Sequence, residues 1–109
     1  QTAVSHITTV SEIADAKTNW NVTSANYYAW GKLAMLVIDV TATAAITPAS
    51  GDAIATIVSG KRPAAISSAQ IWLVTNRQAL IKTNGDICIG SGSIASGAGF
   101  TILASYLLP

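Results

Sequence analysis

Four side chains have the chemistry to hold a polyol: Trp20, Trp72, Asn76 and Arg77. An indole face offers an apolar patch that matches the C–H face of a sugar ring. Planar amide and guanidinium groups form paired hydrogen bonds to vicinal hydroxyls or to an anionic substituent. Three of the four lie within six residues of one another. A strand expected over 69–75 puts Gln70, Trp72, Val74 and Asn76 on one face, opposite Ile71 and Leu73. Arg77 then falls in a short turn, Asn76-Arg77-Gln78, where it meets solvent or an anionic glycan. Trp72 has two open placements, a shallow sugar platform or a packed position in the core or between subunits. Tyr27, Tyr28 and Trp30 straddle both faces of the preceding aromatic strand, which assigns at least one of them to the core.

Other reactive side chains are few and scattered. His6 is the single histidine and falls in a solvated N-terminal stretch. The five acids are Glu12, Asp15, Asp39, Asp52 and Asp86. Glycoside hydrolysis needs two carboxylates across a cleft, but Asp52 and Asp86 sit in expected turns, where aspartate bonds its own backbone. Asp39 shares a strand face with Val37 and Thr41. There is no Gly-x-Ser-x-Gly elbow or phosphate loop, and Gly90-Ser91-Gly92 precedes no helix. Cys88, the lone cysteine, lies in the apolar run Ile87-Cys88-Ile89 and reads as a buried thiol. With no Cys/His cluster for a metal, the expectation is a protein without catalytic residues, metal or cofactor. Asn21-Val22-Thr23 matches the glycosylation pattern, a match expected by chance.

The elements that must position these residues read as strands. Strands are expected over 22–30, 33–43, 53–58, 69–75, 78–83, 86–90 and 99–107, since Val, Ile, Thr, Tyr and Trp are frequent and helical spacing is scarce. Gly31-Lys32 marks a tight hairpin, and Asn84-Gly85 marks another of type I′, with both residues at positive φ. Loops are expected at 47–52, 59–63 and 91–99. Residues 1–17 differ: Val4, Ile7, Val10 and Ile13 recur every third position, and Glu12, Asp15 and Lys17 make this locally the most charged segment. They read as a neck or linker ahead of a head domain at 18–109. The fold class expected is all-β, an antiparallel β-sandwich or jelly-roll-like barrel.

Half of the 109 residues are hydrophobic and 10% are charged, against about 25% charged in ordinary soluble domains. The second strand is apolar on both sides, with Leu33, Met35 and Val37 on one and Leu36, Ile38 and Val40 on the other. Phe100, Ile102, Ala104 and Tyr106 likewise oppose Leu103 and Leu107. A domain this small has one core, so the second apolar face is expected against copies of the same chain, in a homotrimer. A net charge of +1 with a single basic pair, Lys61-Arg62, excludes a nucleic-acid stripe. No apolar run approaches the ~20 residues of a membrane helix, so no membrane insertion is expected.

Three segments carry a resemblance. Tyr28-Ala29-Trp30-Gly31-Lys32-Leu33 leads into a long apolar strand. Ile54 to Val58 is followed by Ser59-Gly60-Lys61-Arg62-Pro63. Ile81-Lys82-Thr83-Asn84-Gly85-Asp86-Ile87-Cys88-Ile89 makes a late Asn-Gly hairpin; beside these three, the terminal strand ending Ala104-Ser105-Tyr106-Leu107 is also similar. In order and spacing these resemble the C-terminal receptor-binding (head) domains of bacteriophage tail-fibre and baseplate proteins, over residues 26–107. Lys61 departs from that pattern, standing where an aromatic is common. The resemblance implies a trimeric head at the tail tip of a virion, assembled in the bacterial cytoplasm beside other tail and baseplate proteins. It also implies adhesion to host cell-wall or surface saccharide, including teichoic acid. Two other functions fit the residues: a structural trimerising cap of a fibre, and a carbohydrate-binding module of a wall-degrading enzyme.

Overall fold

The computed structural model describes residues 4–48 and 52–109, apart from the side chains of Thr75 and Asn76. It is all-β. Nine strands follow in chain order: β1 (Ser5–Ile7), β2 (Ala14–Ala16), β3 (Trp20–Trp30), β4 (Leu33–Ala42), β5 (Asp52–Ile57), β6 (Ser67–Ile71), β7 (Val74–Ile81), β8 (Asp86–Ile89) and β9 (Gly99–Leu107). They form one antiparallel sheet in the order β1-β3-β4-β9-β6-β7-β8-β5-β2. The sheet curls into a half-barrel, and its far edge, β2 and β5, comes back against β3.

Alternation along the strands explains the curl. Leu36, Ile38 and Val40 of β4 point inward and are fully buried with Ile54, Ile57, Ile81, Ile87, Ile89 and Ile102. Each such side chain contributes roughly 1.5–3 kcal/mol by leaving water. Closing the sheet over them is the only way a single layer can bury this row. Leu33, Met35 and Val37 point outward, as the two-sided pattern requires, and of Tyr27, Tyr28 and Trp30 it is Tyr27 that enters the core.

The N-terminal segment differs from a separate neck. β1 pairs with β3 and β2 pairs with β5, so described residues 5–16 supply both edge strands of the sheet. A 3-10 turn, Val10–Glu12, joins them. Its three residues per turn put Val10 and Ile13 on one side: Ile13 is fully buried, and Val10 packs against the core, as does Ile7 of β1. Residues 1–3 of that segment, and 49–51 of the expected loop 47–52, lie outside the described residues.

Two hairpins also depart from expectation. In the 82–86 turn only Gly85 takes positive φ (94°). Its amide donates to the Lys82 carbonyl and the Lys82 amide to that of Asp86, the arrangement of a turn closed by a glycine bulge rather than type I′. The second departure lies in β6 and β7. The chain turns at Trp72-Leu73, with Ile71 paired to Val74, so the expected strand 69–75 is broken at its centre. Asn76, Arg77 and Gln78 are therefore strand residues, not a turn.

Candidate functional site

The early turn at Trp72-Leu73 decides where the candidate residues lie. Leu73 occupies the left-handed region at φ 63°, which costs an L-residue roughly 1–2 kcal/mol, and its side chain is 85% exposed. Trp72 beside it is 61% exposed. The backbone amide of Trp72 donates to the Thr101 carbonyl at 2.8 Å, which ties the turn to β9.

Behind the turn, β6 bulges between Ala69 and Ile71 and pairs with β9 only at Gln70 and Ile71. The strands splay, and an open groove of about 700 Å³ forms on the outer side of the β6–β7 hairpin, bordered by Trp72, Gln70, Gln78, Ser68, Leu80 and Leu103. A second hollow of about 290 Å³ continues it toward β4. The two share Ser68, Gln70 and Leu103 and make one trough.

Arg77 takes part differently from expectation. It is half-buried, and its guanidinium donates from Nη1 to the Gly90 carbonyl (2.8 Å) and from Nη2 to the Ser93 carbonyl (3.4 Å). Its carbon lies 6.0 Å from the Phe100 ring centroid. Arg77 therefore pins the 90–93 loop over one mouth of the half-barrel while its stem borders the groove. Trp20 belongs to that mouth as well. It is 8% exposed and tilted against Phe100 at 6.1 Å, so its indole face is spent on packing. Asn76 lies on β7, and its side chain is outside the described residues. Among the candidates whose side chains are described, Trp72 alone presents a free ring at the trough. Sequence reading missed Gln78 and Ser68, whose place depends on a turn that carries no turn residues.

No family model, curated protein or solved structure matches this chain.

Two further surfaces frame the trough. On the outer face of β3, β4 and β9, Trp30 pairs with Leu33 and Leu33 with Leu107, while Tyr28 pairs with Met35. All five are outward, and Val4, Trp30, Leu33 and Met35 enclose an apolar dimple of about 180 Å³ with Tyr28 on its wall. The carboxylate on that face, Asp39, accepts from the hydroxyls of Thr101 (2.5 Å) and Ser24 (2.7 Å). Those two bonds hold its carboxyl below the usual carboxylate range. Nearby, His6 stacks on Tyr28 at 4.3 Å and its Nε2 lies 3.0 Å from Asn26 Oδ1.

The opposite outer face, on β2, β5 and β8, carries charge. Asp15 pairs with Thr56 and Thr56 with Asp86. The Thr56 hydroxyl donates to Asp86 (2.8 Å), and Lys17 lies 3.8 Å from the same carboxylate. Among the described residues no three His, Cys, Asp or Glu side chains converge as a metal site would need.

Proposed function

We propose that this chain is an adhesion domain of a phage tail tip or baseplate, working as a homotrimer that holds a saccharide of the host surface in the β6–β7 trough. The observation that carries the reading is Trp72: a largely exposed indole at the lip of an open groove whose walls bring amides and a hydroxyl. Few other uses justify leaving so large an apolar ring in water beside hydrogen-bonding groups. Self-association is supported by the outer face of β3, β4 and β9, where Val4, Trp30, Leu33, Met35 and Leu107 are exposed together and the one carboxylate, Asp39, has hydroxyl partners within the same sheet.

The test combines solution mass by light scattering with binding of the 109-residue chain to a panel of bacterial surface polysaccharides. A trimer that binds, and a folded Trp72→Ala variant that loses at least tenfold in binding, is the expected result. A trimer that binds no member of the panel sinks the adhesion reading and leaves a structural cap. A monomer that binds moves the chain to the carbohydrate-binding-module class.

A further inference from the structure

We infer that the trough selects an uncharged saccharide, read by the paired amides of Gln70 and Gln78, and rejects phosphate-bearing or acidic polymers; this rests on the saccharide reading above. Ala69 pairs with Ala79 across β6 and β7, so the next residue on β6 and the preceding one on β7, Gln70 and Gln78, flank the bulge together. Both are exposed and both border the groove. A glutamine amide offers an acceptor and two donors, which suits hydroxyls that both donate and accept. Ser68 adds a hydroxyl between the two hollows, and Leu80, Leu103 and Trp72 supply the apolar floor and lip on which C–H faces rest.

Converging cations are what an anionic ligand would need, and the trough has one at its border, bonded to a loop. Among the described residues Arg77 is the single ionic side chain on its border. Two of its N–H groups are committed to the Gly90 and Ser93 carbonyls, and its planar face lies over Phe100. Lys17 and the carboxylate it faces, Asp86, sit on the other outer face. Lys61 is drawn to the opposite mouth, 5.7 Å from the Tyr27 ring centroid. A phosphodiester in the trough would lose water and meet a single guanidinium already oriented toward two loop carbonyls, with no second cation beside it among the described residues.

The probes are a set of uncharged hexose polysaccharides and a glycerol-phosphate teichoic acid, each titrated into the 109-residue chain at low and high NaCl. The expected result is binding to an uncharged polysaccharide that changes less than twofold with salt, since screening weakens only ionic contacts. A folded Gln70→Ala/Gln78→Ala variant should lose about tenfold, two hydrogen bonds at near 0.7 kcal/mol each. Binding confined to the teichoic acid and falling steeply with salt overturns the uncharged-ligand inference while leaving the saccharide reading intact. Binding to uncharged polymer that the double variant retains in full overturns the role of the amides. No binding to either class by the folded chain overturns both inference and reading.

Discussion

Leu73→Asn should make the protein more stable and its binding weaker. Leu73 holds φ 63° with its side chain 85% exposed. Asparagine tolerates the left-handed region because its short side chain bonds locally. Replacing a strained, solvated leucine therefore recovers on the order of 1 kcal/mol and forfeits little burial. Unfolding entropy of about 2.1 cal/mol/K per residue over 109 residues converts that into a rise in Tm of roughly 4 °C. Calorimetry on dilute protein measures it, with Leu73→Ala as the control. Alanine removes the exposed side chain but keeps the Cβ that causes the strain, so its Tm should stay near wild type. Saccharide binding should fall in the asparagine variant, since Leu73 flanks Trp72 on the groove. A Tm for Leu73→Asn equal to or below wild type refutes the argument, because it means that the turn is not strained or that the leucine is covered.

Three other perturbations test separate parts of the fold. A Cβ on Gly85 would stand 2.5 Å from the Ile57 carbonyl and 2.7 Å from Arg62 Nε at φ 94°. Gly85→Ala should therefore cost about 2 kcal/mol or more in denaturant unfolding, against about 1 kcal/mol for Gly31→Ala, which has open space around it. Asp39 has its folded pKa lowered by the Thr101 and Ser24 hydroxyls. Its contribution is present above the unfolded value of about 3.9 and is lost as pH falls through the lower folded one; unfolding measured between pH 5 and 2 should show a smaller acid-side loss in Asp39→Asn than in wild type. Cys88 is 2% exposed and burial pushes its thiol pKa up, so a thiol reagent at pH 8 should leave it untouched in the folded chain and label it fully in denaturant.

What the sequence revealed and what it hid divide along a physical line. Gly31-Lys32 was legible as a turn because glycine supplies the positive φ that the turn uses. The two-sided strands were legible because Leu33, Met35 and Val37 alternate with Leu36, Ile38 and Val40 at the strand period. Trp72-Leu73 was hidden because neither residue favours a turn. The polar run Asn76-Arg77-Gln78 looked like one, yet Arg77 is polar in order to reach two carbonyls of a loop that lies 13 and 16 residues further on. Trp20 misled for the same reason: its partner, Phe100, is 80 positions away. Contacts of that range leave no local pattern. The edge strands at 5–7 and 14–16 were obscured because each is three residues long, too short to show an alternating pattern.

The trough and the apolar face are not independent surfaces. The hollow that extends the trough toward β4 includes Met35 and Val37, which belong to the same outward row as Leu33. Copies packed over that row would therefore place the trough beside a subunit boundary, several troughs to one assembly. Leu33→Asp separates association from recognition. Leu33 is 43% exposed and sits between Trp30 and Leu107 in the sheet, so a carboxylate there is tolerated by one chain and costly between chains. Light scattering should find the variant monomeric. On a surface coated with the bound polysaccharide its retention should drop by roughly 10²-fold, the loss of multivalent attachment. A short soluble oligosaccharide, which engages one trough at a time, should bind variant and wild type alike. If the oligosaccharide affinity falls with the mass, residues from a second copy complete the site. If the variant keeps the wild-type mass, the apolar row is not the contact between copies and the argument from its charge and exposure fails.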